Sequence, residues 1–446
     1  MSHEARRSLG FWRCWSLVVG GAIGSAVFMM PAVMAPYGGL GLLSLACATL
    51  GAVCIALMFG ALARRVTASG GMYVYTRAAF GDFAAFLVAW TAWISMWVSA
   101  AAIALAFVAY LGAVVPAIGA HPVLGAACGL AAIWILVGIN VAGVRESGIV
   151  SLATAILKLV PLVLVGLVGL WFVDAGNLPA MHPGGGSALL AFASVFALSF
   201  WNFTGIESAT IPAEDTLDPL RTIPRALLAG TLTVGAVYLL VAFVAMGVLP
   251  ASTLATSTSP LAAVGTRMFG NFGSGLIVAG AIVSTLGCLS VTILEGGQVA
   301  MAAGRDRLFP AFFSRLSSRR TPWLSYVLMG VLGSLLLALN FSRGLVAAYQ
   351  FVILIATLTL IIPYAFSSVA SLVLQMRDPA GGRARRWRDA AVAAISFGVC
   401  FWVVAAAGME TVYWVFLLLM LGLPLYVMAA SKKLRKPSPE PSQVIP

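Results

Sequence analysis

Charge is what this chain has least of. Only 9% of its 446 residues are Asp, Glu, Lys or Arg, while 61% are apolar and the mean hydropathy is +1.02. A water-soluble fold of this length has no interior able to hold that much apolar side chain, so the composition specifies an all-α protein that crosses a membrane many times. Histidine is scarcer still. His3, His121 and His182 fall at the N-terminus or in connections, with no acid or cysteine at metal-ligand spacing. Cys14, Cys47, Cys54, Cys128, Cys288 and Cys400 lie in or beside apolar runs without paired spacing, so they read as packing residues. There is no P-loop and no nucleophile elbow. These absences point away from an enzyme, a nucleotide-driven pump, a metal centre and a cofactor.

Runs of about 20 apolar residues can be placed at twelve positions, and the short connections between them carry the basic residues. Arg6, Arg7, Arg64, Arg65, Arg77, Arg145, Arg221, Arg225, Arg305 to Arg320, Arg377 to Arg388 and Lys432 to Lys436 fall on one side. Arg267 and Arg343 fall on the other. The positive-inside rule then places both termini in the cytoplasm, and the surplus of +12 encodes topology with no nucleic-acid partner implied. No small-residue cleavage site precedes Pro31, so the first span is expected to stay as a membrane helix. The expected organisation is an N-terminus over 1–10, a membrane domain over 11–430 and a disordered cytoplasmic tail over 431–446.

Two spans are interrupted. VVGGAIGSAVFMMP, from Val18 to Pro31, sets Gly20, Gly21, Gly24 and Ser25 near the middle of the first, where each glycine weakens a helix by about 1 kcal/mol relative to Ala. SFWNFTGIES, from Ser199 to Ser208, sets Asn202, Thr204, Gly205, Glu207 and Ser208 in the sixth, about 180 residues later. The glycines either let helices pack closely or break them. A break at that depth must line a protected cavity, and its half-helices offer N–H groups to an anion and C=O groups to a cation. An α-amino acid carries both charges. Interrupted spans one and six suggest two inverted five-helix repeats, about 11–175 and about 187–375, followed by two helices over about 389–430.

Three ionisable residues lie inside apolar spans: Lys158, Glu207 and Glu295. Each costs several kcal/mol there unless paired, neutralised or wetted, so each is a functional candidate. Lys158 either snorkels to the surface or sits near the broken first helix as a built-in cation where sodium would otherwise bind. Glu207, two residues after Gly205, either takes up and releases a proton or caps freed N–H groups. Glu295 either faces the cavity and favours a cationic side chain, or pairs with a basic residue near the cytoplasmic end. Trp201 abuts the second break as packing or as a gate with cation–π capability.

Four stretches in order carry a resemblance: GGAIGSAVFMMP at Gly20 to Pro31, SGGMYVYTRAAFG at Ser69 to Gly81, FWNFTGIESA at Phe200 to Ala209 with RTIPRA from Arg221, and GRDRLFP at Gly304 to Pro310. Together they resemble the amino acid, polyamine and organocation (APC) transporter superfamily, nearest to bacterial basic-amino-acid exchangers of the arginine/agmatine kind, over nearly the whole chain. The resemblance implies a LeuT-type fold of twelve helices, the first and sixth broken, moving amino acids across the inner membrane by alternating access, by exchange or proton coupling. It implies that a substrate carboxylate meets N–H groups at Gly24, Ser25 and Ala26, beside Ile23, and that the α-amino group meets carbonyls at Ala22, Trp201 and Thr204, near Asn202 and Gly205. Trp201 and Glu207 fall on the exchangers' gating Trp and pH-linked Glu, while Lys158 resembles the fifth-helix Lys of sodium-independent members. Two aromatic positions of the arginine exchanger fall at Ala92 and near Thr292, which leaves open a neutral amino acid as well as a basic amino acid or its amine. The lipid bilayer and a small-molecule substrate are the expected partners, with protons as a coupling ion and a homodimer left open.

Overall fold

The computed structural model describes residues 9–68, 70–143, 148–182, 185–319, 321–340, 344–377 and 382–434. His3, Arg6, Arg7, Ser69, Arg145, Arg320, Arg343 and the tail from Arg435 lie outside the described residues. The helices in chain order are α1 Phe11–Ala22, α2 Ala26–Met34, α3 Gly39–Ala63, α4 Met72–Phe80, α5 Asp82–Val114, α6 Pro116–Ala120, α7 Pro122–Ala142, α8 Gly148–Gly169 and α9 Ala188–Phe200. They continue as α10 Pro219–Val248, α11 Ala251–Thr256, α12 Pro260–Arg305, α13 Trp323–Asn340, α14 Leu345–Arg377, α15 Arg383–Ala406, α16 Met409–Met420 and α17 Gly422–Leu434. Among the described residues the fold is helical apart from one bridge between Leu9 and Thr216.

Among the described residues ten helical stretches are long and apolar enough to cross a bilayer. α1 and α2, bent by 42° at their junction, act together as an eleventh. α13 contributes a shorter apolar stretch, Trp323–Leu339. α12 starts at Pro260 and bends at Phe269 and Gly270, where Gly270 takes φ 62°, so a short segment precedes the straight run that follows the bend.

In a bilayer, lipid tails are as apolar as leucine, so close packing and interhelical hydrogen bonds hold helices together. α5, 33 residues long, is the central post and packs chiefly on α12 and α14. Its Ser95 hydroxyl donates to the Ala356 carbonyl on α14 at 2.9 Å. Ser44 on α3 meets Ser199 on α9 at 3.0 Å. Small residues let other pairs close in: a Cβ on Gly230 of α10 would lie 2.5 Å from Val18 of α1, and Gly297 of α12 leaves room for the Tyr326 ring. At one end of the bundle Arg77 of α4 pairs with Asp82 at 2.9 Å and Asp306 at 3.0 Å, fastening α4 to α5 and to the end of α12.

Candidate functional site

The first break is narrower than the glycine run. Gly20 and Gly21 are helical, and the helix stops with the Ile23 N–H bonded to the Val19 carbonyl at 2.8 Å. Ile23 turns to ψ 93°, and α2 starts after Ser25. Gly20 and Gly21 therefore do not break the helix, and of the two readings open from the sequence close packing holds for Gly21. Gly21 is small because the sixth span lies against it, and Gly24 because the Cys288 sulfur does.

Stopping there frees the carbonyls of Gly20, Gly21, Ala22 and Ile23 from helical partners. Three already have other donors. Lys158 Nζ reaches the Gly20 and Ile23 carbonyls, each at 3.3 Å, and the Tyr238 hydroxyl donates to Ala22 at 2.7 Å. Lys158 is 5% exposed, so its ammonium is committed to the break and does not snorkel to the surface. On the far side the first bond of α2 runs from the Met29 N–H to the Ser25 carbonyl at 3.3 Å. The N–H groups from Ser25 to Phe28 consequently have no helical acceptor, and the positive end of the α2 dipole points at the break.

The second break is sharper. α9 ends at Phe200, Trp201 to Phe203 make one tight turn, Thr204 is extended at ψ 136°, and Gly205 is left-handed at φ 93°. The Thr204 N–H and hydroxyl both turn back onto the Trp201 carbonyl, at 3.2 and 2.9 Å. Beyond Gly205 the chain winds as a tight 3-10 turn from Ile206 to Thr210.

Tyrosines that the sequence reading passed over tie the site together. Tyr349 on α14, fully buried, shares a hydrogen bond with Ser25 at 3.3 Å and accepts one from Trp201 Nε1 at 3.1 Å. One hydroxyl thus spans both breaks. Tyr364, on the same helix, donates to the Glu207 carboxylate. Tyr110 on α5 donates to the Phe28 carbonyl at 2.7 Å and accepts from the Leu261 N–H at 3.2 Å, pinning α2 to α12. A tyrosine in mid-span must place its hydroxyl somewhere, and two interrupted backbones are where the unpaired groups are.

Between the breaks is a narrow polar cavity. Ala22, Gly24, Ser25 and Ala26 line it from the first span, and Trp201, Thr204, Gly205 and Glu207 from the sixth. α12 adds Cys288, Thr292 and Glu295, and α5 adds Ser95 and Ser99. Two expected members are not on its wall. Asn202 turns away: its amide donates to the Ser199 carbonyl at 2.8 Å, and the side chain lines a small void beside Pro31 and Tyr238. Ile23 is buried and contributes its carbonyl to Lys158. Glu295 faces the cavity and not a basic residue at the helix end. Glu207 also borders a second small void with Ala92, Met96 and Tyr73, so this residue stands in the wall between two spaces.

A chain that joins two interrupted spans around a polar cavity, with an N–H cluster, a lysine on the carbonyl end and two carboxyls, has the layout of a carrier. Over residues 9–431 it matches the family described as amino acid permease. The chain belongs to that family, within the APC superfamily. It is 28% identical to the arginine/ornithine antiporter of Pseudomonas aeruginosa over 429 residues, 92% of this chain and 88% of that one. It is 27% identical to the putrescine transporter PotE of Escherichia coli over 376 residues, 84% of this chain and 85% of that one. It is 28% identical to the cadaverine/lysine antiporter of Escherichia coli over 379 residues, 82% of this chain and 83% of that one. As an amino acid permease, the chain is a multi-pass membrane protein, and its cavity is the natural place for a small-molecule substrate.

Proposed function

We propose that this permease is an antiporter of the inner membrane that exchanges a cationic amino acid for a related cation, without sodium, by alternating access. The observation that carries the reading is that the N–H end of α2 and the carboxyls of Glu207 and Glu295 line one cavity. The substrate carboxylate sits on the N–H groups of Gly24, Ser25 and Ala26, where the α2 dipole favours an anion. Its α-ammonium faces the carbonyls around Ala22, Trp201 and Thr204. Ala22 already accepts one hydrogen bond, which leaves the second lone pair of its oxygen for the substrate, while Trp201 becomes available as Thr204 gives up one of its two bonds to that carbonyl. The distal cation then lies toward Glu295, which makes up for the missing aromatic at Thr292.

Lys158 supplies the positive charge that holds the carbonyl end together, so no sodium ion is required at that place. Trp201, held by Tyr349, serves as the gate over the substrate, and its release opens the site to one side. Glu207, bordering both cavities, exchanges a proton with one side as the site turns. The concentration of arginine in the connections supports twelve crossings with both termini in the cytoplasm, α13 serving as the ninth. The named relatives, which carry arginine, ornithine, lysine and diamines in their descriptions, support a substrate of this charge.

Counterflow in proteoliposomes tests the reading. Vesicles loaded with arginine, ornithine or lysine should take up the labelled cation without a sodium gradient, and those loaded with leucine should not. Glu295→Gln should lower uptake of the cation at least tenfold while leaving the protein folded. Equal counterflow by leucine and ornithine, or an unaffected Glu295→Gln, would refute the cationic assignment.

A further inference from the structure

The largest concentration of charge lies away from the substrate cavity, at one end of the bundle where α3 leaves the apolar layer and α15 enters it. α15 opens with Arg383, Arg385, Arg386 and Arg388 within six residues and turns apolar from Ala390. α3 ends at Ala63 and is followed at once by Arg64 and Arg65. The two helices pack together, so the two groups of guanidiniums meet. Among the described residues one carboxylate stands with them. Asp389, 8% exposed, accepts from Arg388 at 2.8 Å and has Arg385 at 3.9 Å.

Around Arg64, the charges of Arg385 and Arg388 outnumber that of Asp389. Burial first, and then the charge of Arg385, holds the Arg64 guanidinium below its ordinary proton affinity, with Arg388 and Arg65 adding to the effect and Asp389 alone opposing it. Gathering like charges costs energy unless an anion completes the set. Clustered guanidiniums suit a phosphate, which they engage through paired N–H bonds.

The surroundings decide which phosphate. Trp387, 67% exposed, stands among the arginines, as aromatic residues do at the headgroup level of a bilayer. Farther along the same helices the surface is apolar: Ile395 and Phe401 project from α15, and Leu57 and Leu50 from α3. We infer that the arginines at the start of α15 and the end of α3 form a binding site for an anionic phospholipid, its phosphate among the guanidiniums and its acyl chains along α3 and α15. The site is separate from the transport cavity and does not depend on what the permease carries.

The test is the unfolding midpoint of the delipidated full-length protein in neutral detergent, titrated with phosphatidylglycerol, phosphatidylcholine or inorganic phosphate. Phosphatidylglycerol should raise the midpoint saturably, and the other two should not. Each neutralised arginine near a membrane surface is worth about 1 kcal/mol, or about fivefold in apparent affinity. Arg64→Gln and Arg385→Gln should each weaken the phosphatidylglycerol response by that factor, the latter keeping the Arg388–Asp389 pair for folding. Asp389→Asn, which removes the competing carboxylate, should strengthen the response. An identical phosphatidylglycerol response in Arg64→Gln and Asp389→Asn would overturn the inference. So would inorganic phosphate reproducing the response, since the cluster would then hold a free anion and no lipid.

Discussion

Gly21 and Gly205 bring the two broken spans into backbone contact: a Cβ on Gly205 would lie 2.9 Å from the carbonyl of Gly21, and one on Gly21 would lie 2.9 Å from the carbonyl of Gly205. Gly205 is also left-handed, at φ 93°. A side chain there meets strain and collision at once.

Gly205→Ala should therefore cost about 2 to 5 kcal/mol, from the left-handed penalty and the overpacking together. Gly20→Ala is the internal control, because a Cβ at Gly20 meets nothing within 4 Å and the residue is helical. It should be neutral or stabilising by about 0.5 to 1 kcal/mol. Denaturation of the two purified variants in detergent checks the pair. Equal stability would mean that the spans do not touch at these glycines.

Lys158→Ala removes two donors from the carbonyl end of the first break and leaves the Gly20 and Ile23 carbonyls without them. Hydrogen bonds from a charged donor are worth about 1.5 to 3 kcal/mol each, so exchange should fall at least tenfold. Uptake in proteoliposomes across imposed sodium and pH gradients reads this out. Uptake that matches the parent under every gradient would show that the ammonium is only structural.

Tyr349→Phe deletes the hydroxyl shared by Ser25 and Trp201 without leaving a cavity. Two neutral hydrogen bonds at about 1 kcal/mol each amount to roughly thirtyfold. The loss should fall on substrate affinity and on how long the tryptophan stays over the site, with the helices intact. Substrate-induced quenching of tryptophan fluorescence measures it, and an unaltered dissociation constant would contradict the bridge.

Much of this architecture was legible in the amino acids. The membrane class followed from the scarcity of charge, and the second break from Thr204–Gly205 standing among apolar residues. Lys158 and Glu207 stood out because an ionisable group in an apolar run needs a reason to be there. What stayed hidden depended on contacts between distant parts of the chain. Nothing local distinguishes Gly21, which packs, from Gly24, which lies in the break, since only the position of Gly205 and Cys288 separates their roles. Asn202 looked like a cavity residue because it is polar beside the break, yet its own turn absorbs its amide. Tyr349, Tyr364 and Tyr238 could have been found by asking where a mid-span hydroxyl finds a partner, but their targets lie 148, 157 and 216 residues away.

Glu207→Gln keeps the shape of the side chain and an acceptor for Tyr364 while removing the exchangeable proton. Exchange by this variant should vary less with pH than exchange by the parent, at a comparable maximal rate. A pH series of initial rates decides it, and a profile superimposable on the parent's would reduce Glu207 to a fixed cap of the second break.

The central claim is that the two interruptions together grip a zwitterion. The most direct measurement is a cryo-EM map of the protein in a nanodisc with saturating ornithine. The ornithine carboxylate should lie within hydrogen-bonding distance of the N–H groups of Ser25 and Ala26, and its α-ammonium beside the carbonyls of the first and second breaks. Ligand density elsewhere, or continuous α-helix through both Ile23–Ser25 and Thr204–Gly205, would contradict it.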